Sequence, residues 1–239
     1  MEGYMGNPNL KKPLYSVILL IFHRTPELVE MAKDCVAAIR NSSDDYELII
    51  VDNGSTERYD WESLCDVYVR LDKNWGISHG WNTGLKLARG KYMVIIGDDV
   101  IVNEGWLPAM QKSMDMPMAG LANVHVEHLP QGMGVVENYK WFSHACVMLT
   151  QNTINRAGYY EEELYYPCNF EDHSYISKVM RAGLKCYVNY GASVQHKEGR
   201  TVHAKDLSEH FLRLKKVFMD KWGFDNQDVF CGDKPFPMR

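Results

Sequence analysis

The chain has 239 residues, enough for one large domain or two small ones with a proper core. Hydrophobic residues make up 46% and charged residues 24%, the balance of an ordinary globular protein, and the formal net charge of −5 excludes a general attraction to nucleic acid or anionic membrane. The longest apolar stretch, 17–22, is too short to span a bilayer.

Residues 1–14 are polar, hold Gly, Asn and Pro, and read as a loose arm without the apolar core of a signal peptide. The six cysteines include no CxxC pair and several lie in apolar runs, so they read as buried thiols of a reducing compartment. A cytoplasmic protein is the expectation. Residues 15–22 (YSVILLIF) form a first strand buried on both faces. Pro26 opens a helix to about Arg40, with Leu28, Met31, Ala32, Cys35, Val36 and Ile39 on one face. Strands follow at 46–51 and 67–71, then a turn at 73–76 and a helix over 77–89 stopped by Gly90. The strand 91–96 ends in Gly97-Asp98-Asp99. Such alternation predicts a largely parallel sheet with helices on both faces and right-handed connections.

Beyond Asp99 the pattern loosens. A helix is predicted over 105–114, strands over 118–126 and 141–149, and a loop between them at 128–139, which carries Pro130, Gly132 and Gly134. A helix at 172–182, a strand at 185–194 and a last helix at 206–222 complete the chain. On that last helix Leu207, Phe211, Leu214, Phe218 and Trp222 recur at spacings of three and four, with Arg213, Lys215, Lys216 and Lys221 among them. The pattern fits a helix packed on the domain with a basic solvated face, or one that makes peripheral membrane contact beside a lipid-linked partner.

Polar clusters fall at predicted strand ends or in adjoining loops: 52–55, Asp98-Asp99, Glu171-Asp172 and 196–200. In an open α/β sheet, ligands bind beyond the carboxyl ends of the strands. Acids at that edge suit a hard cation held together with substrate phosphates. Each cluster also has a plainer reading: turn chemistry for Asp52 and for Gly97-Asp98-Asp99, helix-start acids for Glu171 and Asp172, and a surface histidine for His196. Trp75, Trp81 and Trp106 read as packing residues. Tyr159, Tyr160, Tyr165 and Tyr166 fit either a sugar platform or a buried aromatic cluster.

Together, SVILLIFHR, YELIIVDNGST, NWGISHGWNTGLKLARGKYMVIIGDDVIVNEGW, NFEDHSYISKVMRAGLK and VQHKEGRT resemble, in order and spacing, a family 2-type inverting glycosyltransferase of the GT-A fold. The resemblance runs from about residue 15 to 223. It implies an α/β, Rossmann-like, mostly parallel central sheet with helices on both faces. It also implies an N-terminal arm (1–14), one domain (15–223) with a nucleotide-sugar-binding half (15–104) and an acceptor and catalytic half (105–223), and a tail (224–239). By position, Asp52 would contact the nucleotide base, normally uracil. Phe22 and Arg24 would meet the nucleotide, and Asn74, Gly76, Asn82 and Gly84 would shape the ribose and diphosphate side. Asp98 and Arg200 join this donor-binding set. Asp99 would bind the metal, Mn²⁺ or Mg²⁺, with His196 completing its shell. Asp172 would be the general base, with Glu171 beside it. The acceptor hydroxyl could belong to a glycan, a lipid-linked partner or another molecule.

Three positions depart from the family's pattern. Gly97 stands where the first of three acids is frequent, His23 where Asn is usual, and Ser174 where a second Asp is frequent. A non-catalytic nucleotide-sugar or glycan-binding protein on the same fold is therefore one alternative. A sugar nucleotidyltransferase is another, although the chain has no glycine-rich basic phosphate loop near its first strand.

Overall fold

The computed structural model describes residues 12–41, 45–140, 142–197 and 208–238. The first half builds four parallel strands. β1 (Tyr15–Ile21) is followed by α1 (Pro26–Arg40), β2 (Tyr46–Asp52), β3 (Val67–Arg70), α2 (Ile77–Leu87) and β4 (Tyr92–Gly97). The second half adds β5 (Val100–Val102), α3 (Trp106–Met114), β6 (Ala119–Val126), β7 (Val135–Glu137), β8 (Cys146–Thr150), α4 (Gln151–Ala157), α5 (Glu171–Arg181), β9 (Lys185–His196) and α6 (Ser208–Trp222).

Among the described residues these strands make one mixed sheet in the order β3-β2-β1-β4-β8-β6-β9-β5, with β7 paired to β9. The continuous apolar runs are explained by two covered faces. Val17, Leu19 and Ile21 of β1, with Val94 and Ile96 of β4, pack beneath α1 and α3. Ile18, Met93 and Ile95 point the other way, into a core shared with α2, α4, α5 and α6.

Several expectations are corrected. The loop predicted at 128–139 contains β7, which pairs antiparallel with β9. Its three residues are mostly exposed, so no apolar pattern marks them. The strand predicted over 141–149 begins only at Cys146 and runs antiparallel to β4. The last strand continues past Val194 to His196, because Val100, Ile101 and Val102 supply it with an antiparallel partner. Residues after 223 do not trail as a tail: Val229, Phe230 and Phe236 are buried in the core with α6. Helix α6 faces inward through Leu214, Phe218 and Trp222. Lys215, Lys216 and Lys221 pair with Asp225, Asp220 and Glu161, so the basic face is largely matched by acids. No described helix is long and apolar enough to cross a membrane.

Helix α2 lies close on β1 because two glycines face the sheet. A Cβ on Gly84 would stand 2.2 Å from Ile18 Cγ2, and one on Gly80 2.2 Å from Leu20 Cδ1. Gly84 is thus a packing position rather than a donor contact. Gly84→Ala is expected to lower stability by about 1–3 kcal/mol through overpacking, offset by the roughly 1 kcal/mol Ala gains within a helix. Chemical denaturation measures the first effect and nucleotide titration should show none. Normal stability with weakened nucleotide binding would return Gly84 to the donor site.

Candidate functional site

A cavity of about 550 Å³ opens at the carboxyl end of β1 and β4. It is bounded by Phe22 and Arg24 after β1, Asn53 and Asn74, Gly97, Asp98 and Asp99 after β4, Glu171 and Asp172 of α5, and His196 at the end of β9. Eight residues singled out from the sequence therefore converge: Phe22, Arg24, Asn74, Asp98, Asp99, Glu171, Asp172 and His196.

The pairing of β5 with β9 sets Val100 opposite His196. Lys197 N–H donates to the Asp99 carbonyl at 3.0 Å. The side chains meet as well, with His196 Nε2 3.2 Å from Asp99 Oδ2. Asp98 points to the opposite neighbour: its Oδ2 lies 3.0 Å from Nε2 of the fully buried His23. Burial raises the Asp98 carboxyl above its ordinary range, while His23 draws it back. The residue that departs from the family pattern at 23 is thus the partner of one strand-end acid. Gly97 donates to the Ala145 carbonyl at 2.9 Å. A Cβ there would lie 2.9 Å from Asp99 Oδ1, so a side chain at 97 would crowd the acid that faces His196.

Helix α5 begins under backbone strain. Asn169 and Phe170 both have positive φ, 86° and 70°. For residues other than glycine this costs on the order of 1–3 kcal/mol each and tends to mark functional sites. The turn delivers Glu171 and Asp172 to the cavity with different chemistry. Burial, reinforced by the charge of Asp172, lifts Glu171 to about 8. Its Oε2 is buried without a partner among the described residues. Burial also pushes Asp172 upward, but the neighbouring His173 and His144 rings and backbone donors outweigh it and leave its carboxyl below the ordinary range. One of those donors is His173 N–H, 2.7 Å from Asp172 Oδ1. At neutral pH the pair divides into a protonated Glu171 and an ionised Asp172. Ser174, the other departure, bridges elements: its hydroxyl donates to Glu161 at 2.8 Å and accepts from Trp222 Nε1 at 3.0 Å.

Other expected residues do not reach this cavity. Asn82 is buried and its amide is consumed by Tyr160 and Glu162, tying α2 to the segment before α5. Asp52 accepts from Ser55 N–H at 2.8 Å, from the Tyr68 hydroxyl at 3.0 Å and from Arg70. It lines a separate depression with Arg58, Tyr59, Tyr68 and Arg70. Gly76 caps the network instead of facing the cavity, its carbonyl accepting from Asn53 Nδ2 at 3.2 Å. Arg200 lies outside the described residues. Of the tyrosines, Tyr160 stacks on Tyr175 at 3.9 Å and Tyr165 is buried, which favours the buried-cluster reading; Tyr166 is exposed.

The comparisons with known proteins bear on this geometry. The model of glycosyl transferase family 2 matches residues 16–178, more than half of the chain. The chain belongs to glycosyl transferase family 2. It is 28% identical over 111 residues to Glycosyltransferase GlyG of Streptococcus pneumoniae serotype 4, which covers 42% of this chain and 35% of that protein. The family 2 chain thus spans about a third of the length of this curated relative. Among solved structures it resembles the Pyrobaculum calidifontis mannosyltransferase PcManGT in complex with GDP-Man and Mn²⁺, with TM-score 0.66 and 15% identity over 95% of this chain and 66% of that one. It also resembles S. aureus TarS 1-349 in complex with UDP-GlcNAc, with TM-score 0.66 and 15% identity over 89% of this chain and 67% of that one. These likenesses place the fold in the GT-A class, an α/β architecture on a mixed, mostly parallel central sheet.

Asn53 and His144 are among the cavity residues that the sequence did not single out. Asn53 follows Asp52 in the strand-end cluster and organises the 74–76 turn, accepting Trp75 N–H at 2.9 Å and donating to Asn74 Oδ1 at 3.0 Å. His144 carried no motif; a histidine inside an otherwise apolar segment was its one signal.

The raised Glu171 predicts a pH effect of definite sign. The folded state holds the Glu171 proton up to about pH 8, whereas the unfolded chain releases it near the ordinary glutamate value of 4.5. Stability from this group is complete below the lower value and is lost as pH rises through the higher. Relative to the parent, Glu171→Gln should therefore gain stability by up to about 1.4 kcal/mol per pH unit across that window. Urea unfolding at several pH values measures the difference, and a constant difference would contradict a protonated Glu171.

Proposed function

We propose that the family 2 chain is an inverting, metal-dependent glycosyltransferase that moves a sugar from a nucleotide-sugar donor, UDP-linked in our reading, to an acceptor hydroxyl. The observation that carries the proposal is the cavity itself: Asp98, Asp99, Glu171 and Asp172 meet there at the carboxyl end of the parallel strands. A diphosphate entering so acidic a site needs a cation beside it.

The residues present suit such an ion. Among the described residues no group of three or more His, Cys, Asp and Glu side chains is arranged to hold a metal by itself. A carboxylate and an imidazole 3.2 Å apart on the cavity wall, Asp99 and His196, would form a two-residue seat. Mg²⁺ or Mn²⁺ commonly binds through one or two protein groups, with substrate phosphates and waters completing the shell. When bound, the cation would neutralise charge growing on the departing diphosphate.

The remaining work falls to the chain's own groups. Asp172, ionised and beside the cavity, is placed to accept the proton of the attacking hydroxyl at a carboxylate oxygen. Glu171, protonated, serves as a donor or an orienting group and not as the base. Arg24, at the rim above Phe22, adds positive charge on the nucleotide side. The nucleobase would lie towards the depression of about 510 Å³ bounded by Asp52, Tyr68 and Arg70. GDP-Man and UDP-GlcNAc bound to the two structural neighbours support a nucleotide sugar as donor.

Calorimetric titration of UDP and GDP, with and without Mn²⁺, tests the donor and metal roles. Nucleotide affinity should rise with metal in the parent, and in Asp99→Ala it should fall to the metal-free value. Equal parental affinity with and without metal would remove the cation. For the base, Asp172→Asn should bind donor and metal normally yet transfer sugar roughly 10² to 10⁴-fold more slowly, while Glu171→Gln is affected less. Parent-rate transfer by Asp172→Asn in a radiolabelled-sugar assay would move the base elsewhere.

A further inference from the structure

His144 sits in the turn before β8, only 6% exposed, and is one of the residues bounding the cavity. Aromatic rings wall it in: Trp81 stacks at 6.1 Å, and Phe142, Tyr160 and Tyr175 meet it edge-on at 6.1, 5.9 and 6.5 Å. Neither Nδ1 nor Nε2 has a hydrogen-bond partner among the described residues. A buried polar group left unpaired costs about 1–3 kcal/mol, and buried histidines in cores are normally satisfied. The cost is explained if the partner arrives with a ligand. Burial lowers this imidazole to about 4, so the ring is neutral, with one nitrogen a donor and the other an acceptor.

Glu171 Oε2 is in the same condition, buried, unpartnered and on the same cavity. The ligand that fits is neutral and carries groups that both donate and accept. Sugar hydroxyls do so; phosphate oxygens only accept and would leave the acceptor nitrogen of the imidazole unpaired. Location narrows the choice further. β8 runs antiparallel to β4, and Gly97 N–H donates to the Ala145 carbonyl at 2.9 Å, so His144 flanks the Gly97-Asp98-Asp99 end where the diphosphate would lie.

We propose that His144 is a specificity-determining residue that, with Glu171, hydrogen-bonds the hydroxyl groups of the sugar carried by the donor nucleotide. This rests on the donor reading given above. The readout is the preference for a sugar nucleotide over its free nucleotide, measured calorimetrically with Mn²⁺ for UDP against UDP-GlcNAc and UDP-glucose, and for GDP against GDP-mannose. His144→Phe fills the aromatic box without the nitrogens. It should keep free-nucleotide affinity within about twofold, reduce the preferred sugar's advantage roughly tenfold, and raise the thermal midpoint of the ligand-free protein, because two unpaired groups are gone. His144→Gln should recover part of the sugar preference. If His144→Phe does not fold, His144→Leu carries the same comparison.

An unchanged sugar preference in the variant overturns the proposal, as does an equal loss of free-nucleotide and sugar-nucleotide affinity. A parent that binds nucleotides without favouring any sugar form overturns it while leaving the donor reading intact. A parent that binds no nucleotide overturns both. Weakened transfer to acceptor with donor binding unchanged would assign the ring to the acceptor's hydroxyls instead, and also counts against it.

Discussion

The site depends on the antiparallel pairing of three residues after the strand-end acids with the last three residues of β9, Val100 opposite His196 and Val102 opposite Val194. That pairing brings together two side chains from opposite halves of the chain, Asp99 and His196. It relies on an irregularity. β9 follows β6 in parallel register up to Val124 opposite Asn189, then resumes with His125 opposite Ser193. Residues 190–192 are left without partners on β6, and Gly191 N–H is taken instead by Asn189 Oδ1 at 2.8 Å. Side chains alternate along a strand, so a bulge of this kind changes which face the following residues present. The end of β9 is thereby re-aimed so that His196 lines the cavity.

A second constraint is electrostatic. Four carboxyl groups share one cavity, and the protein separates them by giving each a different surrounding. Asp98 is set against His23, Asp99 against His196, and Asp172 lies among backbone donors and His173. Glu171 has no such ring as partner, and burial with the charge of Asp172 outweighs its backbone donors, so it keeps its proton. Pairs of acids pushed apart in this way divide the labour of a site.

The strained entry to α5 is supported from behind by the end of the chain. His173 stacks on Phe230 at 4.7 Å and its Nδ1 lies 3.2 Å from Asn226 Nδ2. Ser174 is held by Trp222 of α6. The C-terminal segment thus braces the helix that presents Glu171 and Asp172. A rigid support of this kind is what lets two positive-φ residues persist ahead of a carboxylate that must be well placed.

How much of this was legible beforehand differs between the halves. In residues 15–97 the apolar runs of β1, β2 and β4 and the 3.6-residue period of α1 are local signals, so the parallel strands and the acids at their ends could be read directly. The family strings located Asp99, Asp172 and His196, and the fold gathers all three. Beyond Asp99, β7 is too short and exposed to show a pattern, the start of β8 is set by Ile96 lying opposite Cys146, and the end of β9 exists because β5 pairs with it. Contacts between segments far apart in the chain decide these. The same holds for side chains: Asn82 and Gly84 match the family segment, yet one is spent on Tyr160 and Glu162 and the other on packing against Ile18. His144 shows little in sequence because what sets it apart, the aromatic walls around it and its unpaired nitrogens, exists only once four separate segments have closed together. Local periodicity determined the strands and helices of the first half and the acids at their ends; tertiary packing decided which polar groups found partners and which were left unpaired beside the cavity.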